Sequence, residues 1–103
     1  MKNVLDLQKM IKTAKEMQDR LQKELGEMRV EGSSGGGMVN LVLDGHKSLQ
    51  SIRIDPEVAG KDDVDMLQDL IVAAYNDAAA KVDESLAQKL GGLGGGLKIP
   101  GLF

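Results

Sequence analysis

The sequence predicts an α+β fold: one long N-terminal helix, a three-stranded antiparallel sheet and one long C-terminal helix (α-β-β-β-α). Three observations predict it. Apolar residues recur at steps of three and four from Val4 to Met28 and again from Val64 to Leu90, which is the helical period. Between Met28 and Asp55 the period drops to two, the mark of strands with one face in a core. The chain has only 103 residues, too few for a second hydrophobic core. Both patterns therefore belong to one domain, expected over residues 1–90, followed by a flexible glycine-rich tail over 91–103.

The first helix is read from Val4, Leu7, Ile11, Ala14, Leu21, Leu25 and Met28, with Met10 and Met17 beside them. At about 100° per residue these fill one arc. Lys2, Lys9, Lys12, Lys15, Arg20 and Lys23 fall opposite, with Glu16, Asp19 and Glu27 among them. The helix is amphipathic and is expected to stop near Gly26. Three short strands follow, around Met28–Glu31, Val39–Asp44 and Gln50–Asp55, with Val39, Leu41, Leu43, Ile52 and Ile54 on the core face. Gly32 to Gly37 joins the first two as a loop too flexible for a tight turn, and the Asp44-Gly45 turn signal joins the second pair. Asp55-Pro56 ends the sheet, since proline cannot donate to a ladder. Asp62 or Asp63 can cap the second helix, whose apolar stripe runs from Val64 through Ala74, Ala78, Val82 and Leu86 to Leu90. Gly91-Gly92 is expected to end it. The small residues Ala73, Ala74, Ala78, Ala79 and Ala80 would let another backbone come close.

Composition narrows the chemistry. The chain has no cysteine and one histidine, His46, which removes disulfides, thiolate metal sites and most nucleophile chemistry. No stretch is long and apolar enough to span a bilayer, and Asp6 interrupts the region where a signal peptide would be apolar. A cytoplasmic protein with no membrane partner is expected. The net charge is -3, but it is uneven: residues 1–27 carry six Lys/Arg against five Asp/Glu, and residues 61–103 carry four against seven. A polyanion would meet the N-terminal segment first.

Each motif has a plain reading. The glycine clusters lack the Lys-Ser/Thr that follows a phosphate loop, and neither leads into a helix, so both read as linkers rather than nucleotide sites. Asp62, Asp63, Asp65 and Asp69 crowd a helix start, where capping and the helix dipole account for most of them. His46 follows a turn glycine and reads as an exposed loop residue. No enzyme, cofactor, metal site or small-molecule substrate is expected. The lysines of the first helix have the strongest plain reading, because Lys12–Glu16, Lys15–Asp19, Glu16–Arg20, Asp19–Lys23, Arg20–Glu24 and Lys23–Glu27 are all i,i+4 pairs. On the residues alone, a salt-bridge-laced helix surface outweighs phosphate contact.

Taken in order, five segments resemble the YbaB/EbfC family of bacterial nucleoid-associated proteins: MIKTAKEMQDRLQKEL, GSSGGGMVNLVLDG, SIRIDPEV, DMLQDLIVAAYNDAAAK and the terminal LKIPGLF. The resemblance runs end to end. It implies a homodimer whose helices project from a joined β region like tweezers, double-stranded DNA as partner, and a nucleoid-associated location. The family supplies no short contact motif to transfer. Physical reasoning then selects Lys2, Lys9, Lys12 and Lys15, near the free end of the first helix, as the DNA-binding residues, with Lys81, Lys89 and Lys98 next. Dimerisation is also expected from length. Helices of about 40 Å overhang strands of about 20 Å, leaving apolar residues such as Leu7, Met10, Ala78 and Val82 to be covered by a second chain. The alternative function is a protein-interaction adaptor for replication or recombination proteins, with incidental DNA affinity.

Overall fold

A computed structural model describes residues 4–94. Helix α1 spans Val4–Glu27, strands β1, β2 and β3 span Val30–Ser34, Val39–Leu43 and Leu49–Ile54, and helix α2 spans Val64–Gly94. Two single-turn 3-10 segments, Pro56–Val58 and Lys61–Asp63, link β3 to α2. The sheet is antiparallel in the order β1-β2-β3. Val30 pairs with Leu43 and Ser34 with Val39, while Val39 pairs with Ile54 and Leu41 with Ile52. A register shift at Val42/Leu43, where Ser51 and Leu49 face consecutive β2 residues, leaves Gln50 as the extra residue of a bulge.

The core is one layer of sheet under one helix. Val39, Leu41 and Leu43 point at Ala74, Ala78, Val82 and Leu86 of α2, and Leu25 closes the end of this cluster. The alanines allow the close approach anticipated for them, and the partner backbone is β1 at Gly32. A Cβ there would lie 2.5 Å from the Ala74 carbonyl oxygen and from the Ala78 nitrogen. On either side of that contact α2 is tied down by polar bonds: the Ser33 amide donates to Asp77 Oδ2 at 3.0 Å, and the Ser34 hydroxyl donates to the Leu70 carbonyl at 2.6 Å.

Four expectations are corrected. Gly32, Ser33 and Ser34 are strand residues, and the connection is a tight turn over Gly35–Met38, because α2 leaves room for nothing larger than glycine at 32. The turn runs through Gly35, Gly36 and Gly37 at φ 60, 66 and 98, a left-handed path that glycine alone follows without strain. It is closed by the Gly37 amide donating to the Ser34 carbonyl at 3.1 Å. Ala78 and Val82 lie under the chain's own sheet and are fully buried, so they need no second chain. Ile52 shares the inner face with Leu41 yet stays 41% exposed, since α2 packs chiefly on β1 and β2, and of β3 only the Ile54 end reaches the core. Finally, α2 continues through Gly91 and Gly92 to Gly94, because a helical glycine costs only about 1 kcal/mol relative to alanine and does not forbid the helix. The rest of the expected tail, residues 95–103, lies outside the described residues.

Candidate nucleic-acid interface

Helix α1 is held at its C-terminal end. Leu25 is its only buried residue, and its carbonyl accepts the Gly45 amide at 2.8 Å. Arg29 closes the helix by donating from Nη1 to the Gly26 carbonyl at 2.8 Å and the Met28 carbonyl at 2.7 Å, a cation placed where the helix dipole is negative. N-terminal to Leu21 no residue of the helix is buried among the described residues: Val4, Leu7, Met10, Ile11 and Met17 are all exposed. The arm this creates gives the chain a length of 71 Å and a radius of gyration of 19.4 Å, against about 13 Å for a compact domain of this size.

Lys9, Lys12 and Lys15 sit on this arm and are exposed. Lys2 lies outside the described residues. The three described lysines have no ion-pair partner within 4.0 Å among the described residues, and none of the six anticipated i,i+4 pairs forms. The reason is energetic. An exposed pair gains about 0.5 kcal/mol or less, which is comparable to the cost of fixing two long side chains. The charges therefore remain available to a ligand. They are also sorted along the helix: residues 4–15 carry three lysines against Asp6, whereas residues 16–27 carry Arg20 and Lys23 against Glu16, Asp19, Glu24 and Glu27. Helix-dipole compensation does not account for this. The lysines lie beyond the first turn, and the last turn holds acids and no base.

Other charged groups of the body are committed to structure. Lys81 of α2 donates to Asp77 Oδ2 at 3.0 Å, and Lys47 pairs with Asp83 at 2.8 Å. Lys47 adopts a left-handed φ of 65, and its carbonyl accepts the Tyr75 hydroxyl at 3.1 Å, so the β2–β3 loop is pinned to α2 at two points. The carboxylate of Asp44 is buried beneath that loop. It accepts the amides of His46 at 2.8 Å and Ser48 at 3.0 Å, and the Gln50 side chain at 3.2 Å. The Ser48 amide above all, then that of His46, holds the Asp44 carboxyl below the usual aspartate value. The Ser33 amide, followed by Lys81, does the same for Asp77. His46 itself is exposed.

The remaining surface offers less to a polyanion. The shallow depressions on the outer face of the sheet bring Arg29 and Arg53 together with Glu31 and Asp55, a balanced set. Among the described residues no three His, Cys, Asp or Glu side chains are grouped to hold a metal ion, and no helix is long and apolar enough to cross a membrane. Lys89 is exposed near the end of α2, and Lys98 lies outside the described residues.

Comparison with known proteins places this arm in context. Residues 1–97 match the YbaB/EbfC DNA-binding family. The nucleoid-associated protein TTE0040 of Caldanaerobacter subterraneus subsp. tengcongensis is 48% identical over 101 residues, which cover 95% of this chain and 91% of the relative. A nucleoid-associated protein of Dictyoglomus thermophilum is 42% identical over 104 aligned positions that span all of both chains. Among solved structures, the uncharacterized protein HP0035 from Helicobacter pylori superposes with a TM-score of 0.73 over 90% of this chain and 98% of that one. At 22% identity it shares the fold.

Proposed function

We propose a function from one established premise: the chain belongs to the YbaB/EbfC DNA-binding family. The protein is a non-enzymatic, nucleoid-associated DNA-binding homodimer that grips double-stranded DNA through the phosphates and contributes to nucleoid organisation or gene regulation. The observation that carries this reading is the projecting α1 arm, whose Lys9, Lys12 and Lys15 are exposed and have no ionic partner among the described residues. Unpaired lysines on a helix face neutralise phosphates without reading base edges, so binding varies little between unrelated duplexes.

Layer geometry supports the second copy. A helix about 10 Å across covers two strands spaced about 4.8 Å apart, and α2 covers β1 and β2. Most of the inner face of β3 is left open, with Leu49 52% and Ile52 41% exposed while Ile54 packs against the core, and Tyr75 of α2 is exposed as well. One chain's apolar half-layer is the natural cover for another's, through a two-fold, self-complementary contact. The dimer then carries two arms and six described arm lysines.

The test is a mobility-shift series on two duplexes of unrelated sequence at several salt concentrations. With about six phosphates neutralised, log K against log salt has a slope near -5, and affinity falls about a thousandfold between 50 and 200 mM. No shift at the lowest salt would favour the adaptor function, and strong preference for one duplex would contradict phosphate-only contact.

A further inference from the structure

We propose that the N-terminal half of α1, residues 4–15, is an interfacial helix that lies on anionic lipid bilayers. The inference goes beyond DNA binding, although both use the same lysines. It starts from a surface that phosphate contact leaves unexplained. Val4, Leu7, Met10, Ile11 and Ala14 form an apolar seam along this half of the helix, and every one of them is exposed. DNA held by Lys9, Lys12 and Lys15 would leave that seam in water. A helix with a strongly apolar face, a lysine-rich polar face and low overall hydrophobicity is suited to the boundary between headgroups and acyl chains, where its apolar face sinks about 5–10 Å. The lysine stems extend past the seam and place their ammonium groups at the lipid phosphates.

Charge selects this occupant over a second copy of the chain. Exposed apolar residues continue at Met17 and Leu21, but only in residues 4–15 do lysines outnumber acids, three to one, so that two copies of this half would repel each other while an anionic surface attracts it; residues 16–27 carry an acidic excess. The expectation of no membrane partner rests on the lack of a spanning segment, and an interfacial helix requires none.

Flotation of the full chain tests this, using vesicles of about one-third phosphatidylglycerol in phosphatidylcholine beside vesicles of phosphatidylcholine alone. The expected result is flotation with the anionic vesicles and binding at least about tenfold weaker to the neutral ones. Leu7→Gln with Ile11→Gln removes the seam and keeps the charge; it should lose vesicle binding while retaining its helical circular dichroism, its mass in solution and its affinity for duplex DNA. Lys9→Glu with Lys12→Glu should lose vesicles and DNA together. If that lysine variant keeps DNA and loses only vesicles, the DNA assignment fails and the lipid proposal stands. The lipid proposal is overturned if the parent does not float, if the Gln variant floats like the parent, or if the Gln variant falls to half the parent's mass, which would make a second copy the occupant of the seam.

Discussion

Gly32 carries the tightest constraint on any side chain in this fold. Substitution by alanine would drive a methyl group into the α2 backbone at 2.5 Å, and backbone cannot swing aside. Gly32→Ala should lower stability by at least about 2 kcal/mol in a thermal or urea melt. Gly26→Ala serves as the control, since nothing lies within 4 Å of its added Cβ; it should be neutral or stabilising by up to about 1 kcal/mol. In the sequence Gly32 looked like part of a loop, because glycine is also the commonest loop signal. What makes it a strand residue is the Ala74 and Ala78 surface more than forty positions away. Asp44 gives a second prediction at this scale. Its folded-state carboxyl titrates below the ordinary 3.8, so the stability it contributes is fully present above about pH 4 and is lost as pH falls through the folded value. Asp77, held low by Ser33 and Lys81, acts in the same direction. Urea midpoints measured from about pH 6 to pH 2 should fall on the acid side, and less steeply for Asp44→Asn than for the parent. Equal slopes would show that the loop amides do not favour the charged form.

For whole elements, the helical and strand periods located all five; the start of the first turn moved because tertiary contact at Gly32 overrode a loop signal, and the end of α2 moved because glycine weakens a helix without forbidding it. Helix α1 ended within a residue of Gly26, as the change of period required. Ile52 was correctly placed on the inner face by alternation, but alternation cannot say whether a face is covered. That depends on the width of one helix against three strands. The open half of the layer leads to the prediction for β3: Ile52→Lys should leave the chain folded, since Ile52 lies outside the buried core, while solution mass falls from twice 11.0 kDa to 11.0 kDa. Light scattering on parent and variant checks both halves, and a parent at 11.0 kDa would remove the dimer. The lysine arm was only partly legible. Its residues could be named, but the spacing favoured salt bridges that the structure does not form, because pairs exposed to water are too weak to hold.

The whole molecule is an elongated body with one solvated arm per chain, and its acidic total obscures where its cations lie. A net charge of -3 repels a polyanion at long range, while Lys9, Lys12 and Lys15 of α1, which have no ion-pair partner among the described residues, attract it locally. At 0.1 M salt the Debye length is about 10 Å, far shorter than the 71 Å molecule, so acids more than about that distance from the arm are screened from a polyanion held there. The central claim is that these arms are the DNA contact. Duplex binding by Lys9→Glu with Lys12→Glu, measured beside the parent at about 50 mM salt, tests it most directly. Both side chains are exposed, so the variant should keep its dimer mass and helical circular dichroism and give no shift at concentrations that saturate the parent. A variant that binds as tightly as the parent, with the same salt slope, would contradict the claim.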